Sequence, residues 1–219
     1  MHIPDGFVSG PVNLAGYAVS AAAVGVALAK ANRSLQERQV PLLGVTAAFV
    51  FAAQMLNFPV AAGTSGHFLG AVLTAVLLGP WNACLVLALV LSIQCLMFAD
   101  GGLTALGTNL FNMGVVAGVL SYGVFAALRA LAPKTRTGFF FSVAVASWFS
   151  VVAAATACGL ELAVSGTVPY RIVLPAMAGV HALIGIGEAL VTVTTLSAVL
   201  ASRPDLVNTW QTAAVEGKP

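Results

Sequence analysis

The chain has 219 residues, of which 59% are hydrophobic and only 7% are charged, so it cannot present a solvated surface on every side. This composition excludes an ordinary soluble domain and predicts an integral membrane protein. The formal net charge of +2 rests on few charged residues, which excludes a nucleic-acid partner, since that would need clustered Lys and Arg. The cysteines, Cys84, Cys95 and Cys158, lie in apolar runs without CxxC spacing and are interpreted as buried hydrophobic residues.

Seven apolar runs, each a candidate transmembrane helix, follow one another along the chain. They cover residues 12 to 31, 42 to 58, 67 to 79, 81 to 99, 103 to 128, 139 to 164 and 176 to 200. The third run is too short to cross a bilayer unaided, which predicts a loop folded in before a short helix. We therefore predict an all-α fold, a polytopic membrane helix bundle of about seven transmembrane helices in a single domain, 1–219.

The basic residues predict the orientation of this bundle. All of the nine Lys and Arg residues except Arg171 fall on one face, which the positive-inside rule makes cytoplasmic. The N-terminus is then outside and the C-terminus cytoplasmic. Residues 1–11 form an extracytoplasmic segment, 12–200 the helix bundle and 201–219 a cytoplasmic tail, and we expect a multi-pass protein of the cytoplasmic (inner) membrane with the lipid bilayer around it.

The first residues, MHIPDGF, lack the basic start of a cleaved signal peptide, so we expect the mature chain to begin at Met1. Pro4, Asp5 and Gly6 predict a turn that folds residues 1 to 3 back onto the protein. A histidine at position two has a chelating option that an internal histidine lacks. The free amine of Met1, the amide nitrogen of His2 and its imidazole can close two small rings around one divalent ion.

His67 begins the short third run, after an uncharged stretch from Pro59 to Gly66 that suits a segment re-entering the membrane under cover of protein. The predicted orientation places it on the same external side as His2, where it can supply a fourth nitrogen. Four nitrogens in a plane favour Ni(II) or Cu(II), with Co(II) also acceptable. Alone, either histidine could equally be a polar residue at an interface or a helix start. Their shared side of the membrane favours a joint metal site.

Several other polar residues are candidates for supporting such a site. An orienting role beside the metal ligands, or simple helix capping and interhelical hydrogen bonding, is open for Asn57, Ser65, Asp100, Asn109 and Asn112. His181 and Glu188 are seven residues apart on one face of the last run, and Glu188 lies near its middle, where an ionisable group is costly. Both are candidates for a structural role inside the bundle or for coupling to another membrane subunit.

Four segments, MHIPDGF, GTSGHFLG, ADGGLTALGTNLFNMG and HALIGIGEALVT, resemble the CbiM/NikM family over essentially the whole chain. This family comprises the substrate-binding (S) components of cobalt and nickel energy-coupling-factor (ECF) transporters, and within it the resemblance favours cobalt-transport CbiM. The resemblance implies a metal-capture subunit of an ATP-driven importer of divalent cobalt or nickel, feeding cobalamin biosynthesis if the ion is cobalt. It implies that Co²⁺ or Ni²⁺ is the transported substrate, held by Met1, His2 and His67.

The chain has no GxxxxGK[ST] phosphate loop, so we do not expect it to be an enzyme that hydrolyses ATP. The resemblance implies that ATP-binding cassette ATPase subunits, a transmembrane coupling (T) subunit and a small accessory membrane subunit are its partners. An alternative function is an intramembrane serine protease using Ser65, within a GxSG stretch, and His181. That alternative leaves MHIPDGF unexplained, and a passive metal channel leaves the chelate unexplained.

Overall fold

The computed structural model describes residues 1–35, 37–56, 58–60, 64–207 and 209–210, and within them the chain forms a bundle of seven helices. They are α1 Gly10–Ser34, α2 Val40–Gln54, α3 Ala71–Leu78, α4 Pro80–Phe98, α5 Leu106–Leu131, α6 Arg136–Val164 and α7 Tyr170–Ser202. Short 3₁₀ turns lie at Glu37–Gln39 and Pro204–Leu206. The predicted all-α membrane bundle is confirmed, with one addition: β1 Phe58–Val60 pairs antiparallel with β2 Thr64–Gly66.

Five of these helices, α1, α4, α5, α6 and α7, are long and apolar enough to cross a membrane unaided. Helix α2 has 15 residues. The predicted third run resolves into an extended segment, residues 67–70, followed by the eight-residue helix α3. Gly70 and Gly79 bound this short helix with φ angles of +69° and +89°, conformations that glycine adopts without steric cost. A short third helix is therefore present, but it begins at Ala71, four residues later than the predicted run; of the predicted loop before that run, residues 61–63 lie outside the described residues.

Helix α3 lies at the centre of the bundle. All eight of its residues are buried, and it packs against α4, α5 and α6. By contrast, α1 and α7 expose large apolar side chains, such as Leu14 at 72% and Leu183 at 71%, as expected of surfaces that face lipid. Because α3 is enclosed, the extended segment that precedes it is also carried into the protein interior.

Helix α5 contains a π-helical stretch, Phe111–Leu120. Such stretches displace side chains from their regular α-helical positions and occur often at functional sites. Asn109 and Asn112 lie just before and just inside this stretch, and both are buried.

The N-terminal segment folds back onto the bundle through the predicted turn. Gly6 has a φ of +82°, and Met1 and Ile3 are fully buried. The backbone N–H of Gly102 donates to the carbonyl of Ile3 at 2.8 Å, so the segment is joined to the turn between α4 and α5. The first residues of the chain are thus part of the packed core.

Candidate metal centre

His2 and His67 meet at the end of the bundle that holds the N-terminus, called here the outer end after the predicted orientation. Their rings stack with centroids 4.6 Å apart and an interplanar angle of 12°. The ring of His2 comes from the folded-back N-terminal segment and that of His67 from the extended segment before α3. His2 is 5% exposed, and Met1 and His67 are completely buried. The structure therefore brings together the three residues that the sequence singles out as metal ligands.

Two side chains orient the ring of His2. Its Nε2 lies 3.1 Å from the Gln94 Oε1 of α4, and its Nδ1 lies 3.2 Å from the Asp100 Oδ1 in the following turn. Gly101 has a φ of +94°, and a Cβ there would come within 3.5 Å of the His2 Cβ. The turn after α4 thus fits closely around His2, and Asp100, a predicted supporting residue, contacts it directly.

Asn109 holds the backbone next to His2. Its Oδ1 accepts from the Ile3 N–H at 2.8 Å, and its Nδ2 donates to the Ile3 carbonyl at 3.1 Å. A side-chain amide that pairs with both polar groups of one residue fixes the position of that residue and of the peptide before it. Asn109 therefore fixes the backbone directly after His2.

The ring of His67 is oriented by its own neighbour. Its Nδ1 lies 2.8 Å from the carbonyl oxygen of Phe68, so the ring is the tautomer that carries its proton on Nδ1. The opposite nitrogen, Nε2, is buried and has no hydrogen-bond partner among the described residues. A buried imidazole nitrogen with a free lone pair is a suitable metal ligand.

Burial keeps these nitrogen groups uncharged. It lowers the pKa of the Met1 amine to about 5. It also lowers the pKa of His2, against the opposing effect of the Asp100 carboxylate. Burial, aided by the nearby Met1 amine and His2, lowers the pKa of His67 well below its ordinary value. At neutral pH these groups therefore have lone pairs available for a metal ion.

Glu188 and His181, the two candidates on the last helix, have different contacts. Glu188 is 2% exposed and accepts hydrogen bonds from the backbone N–H groups of Leu69 and Gly70 at 2.7 and 2.8 Å. It therefore contacts the segment that carries His67. His181 is buried, with its Nδ1 2.8 Å from the Met177 carbonyl one turn earlier.

The three remaining predicted residues differ in how much of them the structure describes. Asn112 donates to the Glu161 Oε2 of the neighbouring helix α6 at 2.6 Å. Asn57 lies outside the described residues. Ser65 lies in β2, but its side chain is outside the described part of the structure, and so is the predicted pairing of Ser65 with His181.

The sequence interpretation missed two glutamines, Gln94 and Gln54. Both are fully buried inside apolar helices, where an amide is costly unless it is hydrogen-bonded. That position within an apolar run was the signal that could have identified them. Gln94 contacts His2, and the Gln54 Nε2 donates to the Leu69 carbonyl at 2.8 Å.

A cavity of about 720 Å³ leads to the site from the outer end of the bundle. Two carboxylates, those of Asp5 and Asp100, lie along it together with Cys95 and one side of His2. Asp5 also accepts from the Thr104 N–H at 2.7 Å, which fixes one wall. An acidic cavity of this kind attracts cations towards His2.

The fold is a multi-pass membrane bundle, and its site holds buried, neutral nitrogen groups beneath an acidic cavity. These features are those of a membrane protein that takes up a metal ion. The family model for CbiM, described as the cobalt uptake substrate-specific transmembrane region, matches residues 2–206. The chain belongs to this family, which confirms the resemblance seen in the sequence. It is a cobalt or nickel transport protein.

Individual relatives agree with this assignment. A protein of Archaeoglobus fulgidus named as a fused nickel transport protein, NikMN, is 40% identical over 94% of this chain and 68% of its own length. Cobalt transport protein CbiM 2 of Pelobacter propionicus is 36% identical over 91% of each chain. A crystal structure of a truncated transition metal transporter superposes with a TM-score of 0.85 at 34% identity, covering 92% of this chain and 99% of that one. These relatives are transport proteins, and the serine protease alternative finds no support among them.

Proposed function

We propose that this chain is the metal-capture subunit of an ATP-driven ECF-type importer and that it binds Co²⁺ or Ni²⁺ through four nitrogens. They are the amine of Met1, the amide and ring nitrogens of His2, and the ring nitrogen of His67. The observation that carries the proposal is the close approach of the His2 and His67 rings beside a fully buried Met1. Among the described residues no group of three or more His, Cys, Asp or Glu side chains is placed to hold a metal, and the proposed ligand set accordingly includes two backbone nitrogens.

The chelate requires a particular nitrogen of His2. The amide nitrogen and the ring close a six-membered chelate only through Nδ1, the atom that now lies 3.2 Å from the Asp100 Oδ1. Binding would exchange that contact for the metal, after which Nε2–H donates to the Gln94 Oε1, 3.1 Å away. A ligating histidine commonly donates its second N–H in this way, which fixes its tautomer.

Charge balance also supports this set of ligands. A divalent ion that binds one deprotonated amide and three neutral nitrogens has a net charge of +1. The carboxylate of Asp100, beside His2, offsets that remaining charge. The site would then be neutral overall, which lowers the cost of holding an ion in a buried place.

Cobalt and nickel both fit the proposed site. Four nitrogens close to a plane suit Ni(II) and also accept Co(II). Relatives of similar identity are named for nickel and for cobalt, and cobalt uptake would supply cobalamin biosynthesis. The acidic cavity beside His2 would serve as the path from the extracytoplasmic side.

Transport needs partners, because the sequence has no phosphate-binding loop with which to hydrolyse ATP. We assign energy supply to ATP-binding cassette subunits, coupling to a transmembrane T subunit, and a supporting role to a small accessory membrane subunit. The complex would lie in the cytoplasmic membrane, with residues 1–11 outside, 12–200 in the bundle and 201–219 facing the cytoplasm.

The experiment that tests this function measures uptake of radioactive Co²⁺ and Ni²⁺ by cells that make this chain with its partner subunits. Replacing the phosphate-loop lysine of the ATPase is expected to abolish uptake, whereas Ser65→Ala in this chain is expected to leave it unchanged. Uptake that persists without ATP hydrolysis would instead identify a passive channel. Loss of uptake in Ser65→Ala at normal protein levels would support the serine protease alternative.

A further inference from the structure

Leu69, two residues after His67, is held from both sides by buried polar side chains. The Glu188 Oε2 of α7 accepts from its N–H at 2.7 Å, and the Gln54 Nε2 of α2 donates to its carbonyl at 2.8 Å. The second carboxylate oxygen of Glu188 accepts from the Gly70 N–H at 2.8 Å. We call Gln54 and Glu188 together the Leu69 clamp.

Holding the loop through the Leu69 clamp has a cost in free energy, because it buries two polar side chains. Gln54 is fully buried and Glu188 is 2% exposed, and both lie in helices of a membrane bundle, where polar groups are costly unless they are hydrogen-bonded. Part of that cost is offset because α3 begins at Ala71, and the N–H groups at a helix start have no partner within the helix. A Ser or Thr side chain at the helix start would satisfy one of those groups locally. Glu188 accepts from two N–H groups from α7 and Gln54 donates to a carbonyl from α2, so together they also fix the loop relative to the bundle.

The clamp is separate from the contacts that hold His2. His2 is oriented by Gln94 and Asp100, and its backbone by Asn109, all from α4, α5 and the turn between them. His67 depends on α2 and α7 instead. The two halves of the proposed ligand set are therefore positioned by two separate sets of hydrogen bonds that meet where the rings stack, and their relative geometry depends on both.

We propose that Gln54 and Glu188 are positioning residues that fix the segment carrying His67, so that on metal binding its ring can turn from the stacked position and bring Nε2 into the plane of the Met1–His2 chelate. By doing so they set the preference of the site for ions that accept four planar nitrogens over Zn²⁺, which prefers a tetrahedral arrangement. This inference rests on the proposed metal ligands. With the clamp loosened, His67 leaves the plane, which penalises Ni²⁺ and leaves Zn²⁺ little affected.

The test uses two substitutions of nearly unchanged volume and one matched control. Glu188→Gln leaves one backbone N–H without its acceptor, and Gln54→Leu removes the donor to the Leu69 carbonyl. Thr192→Val is the control: Thr192 is fully buried one turn beyond Glu188, and its hydroxyl has no hydrogen-bond partner among the described residues. Each protein is purified with its native N-terminus.

Three measurements separate positioning from mere stability. The first measurement compares the affinities for Ni²⁺ and Zn²⁺. In both clamp variants the affinity for Ni²⁺ should fall about 10- to 100-fold, the range for residues that orient metal ligands. The affinity for Zn²⁺ should change far less. The visible absorption band of bound Cu²⁺ should move to longer wavelength as the planar field weakens. Amide exchange at Leu69 and Gly70 in the metal-free protein should accelerate. Thr192→Val should match the native chain in all three.

The outcomes also distinguish this inference from the proposed function. If amide exchange accelerates but the Ni²⁺/Zn²⁺ ratio and the Cu²⁺ band stay unchanged, the clamp only stabilises the loop and the inference is wrong, while the metal site stands. If the His67→Ala variant binds Ni²⁺ as tightly as the native chain does, the assignment of His67 as a ligand is wrong. A variant that does not fold is replaced by Gln54→Asn, which keeps the amide but shortens its reach and should produce the same change in ratio.

Discussion

The two ends of the bundle are stabilised by different interactions. At the opposite end from the N-terminus, called here the inner end, Phe139 is fully buried and makes edge-to-face contacts with Phe125, Phe140 and Trp210 at centroid distances of 5.8, 5.5 and 5.1 Å. At the outer end, Asn109 and Glu188 make directional hydrogen bonds to backbone groups. Aromatic packing tolerates small shifts of its members, whereas hydrogen bonds fix atoms to within tenths of an ångström. The inner end therefore supplies stability and the outer end supplies geometry.

The largest effect on metal binding should come from removing a ligand. His67→Ala deletes the only ring nitrogen proposed to come from the loop, and the native chain's bound Co²⁺ or Ni²⁺ should fall to background. Elemental analysis of the purified protein measures this directly. A normal metal content in His67→Ala, in protein that melts at the native temperature, would show that the outer end is not the metal site.

Asn109→Ala should weaken metal binding less, by about 10- to 100-fold, because Asn109 fixes the backbone of Ile3 without contacting the ion itself. The matched control at the inner end is Asn82→Ala, where the amide donates to the Leu78 carbonyl at 2.8 Å. Competition titration against a metal-sensitive dye compares the two. Equal affinities would mean that the amide pairing at Asn109 serves stability alone.

The pH dependence should show which nitrogen loses a proton. Because the pKa of the Met1 amine lies at about 5 and burial also lowers the pKa of His2 and His67, these groups are already unprotonated at pH 7. Only the His2 amide then has to release a proton, so affinity should fall about tenfold per pH unit from pH 8 to 6. Below about pH 5 the amine is protonated as well, and the fall should steepen.

Calorimetry in buffers of different ionisation enthalpy checks this prediction by counting protons released per ion bound at pH 7. About one proton supports ligation through the amide nitrogen. No proton release, with an affinity that is flat from pH 8 to 6, would remove the amide from the ligand set.

The smallest change in metal binding is expected at the inner end. Phe139→Ala removes the centre of the aromatic cluster and should lower the free energy of unfolding by about 3–5 kcal/mol, while the affinity for Ni²⁺ stays within twofold of native. Thermal unfolding in detergent and the same dye competition measure both quantities. A fall in affinity as large as that of Asn109→Ala would show that the two ends are not independent.

Much of the outer end could be predicted from the sequence because its signals are local. The turn at Pro4 to Gly6 and the pairing of His2 with His67 follow from short motifs and from the side of the membrane on which they fall. The role of Gln94 could not be predicted, because its partner His2 lies 92 residues away and nothing local specifies such a contact. The eight-residue length of α3 was also missed, since Gly70 and Gly79 read as ordinary small residues inside an apolar run.

The central claim is that the amine of Met1 is a metal ligand. The structure makes a sharp test possible, because Met1 is fully buried and an added residue would both convert its amine to an amide and shift the new amine out of the five-membered chelate ring. The measurement compares Co²⁺ and Ni²⁺ uptake by cells that make the native chain with uptake by cells whose chain carries one alanine before Met1. Both chains carry a C-terminal tag and are compared at equal membrane levels, with the N-terminal residue confirmed by mass spectrometry. Loss of uptake and of bound metal in the extended chain is the predicted result, and equal uptake by the two chains would contradict it.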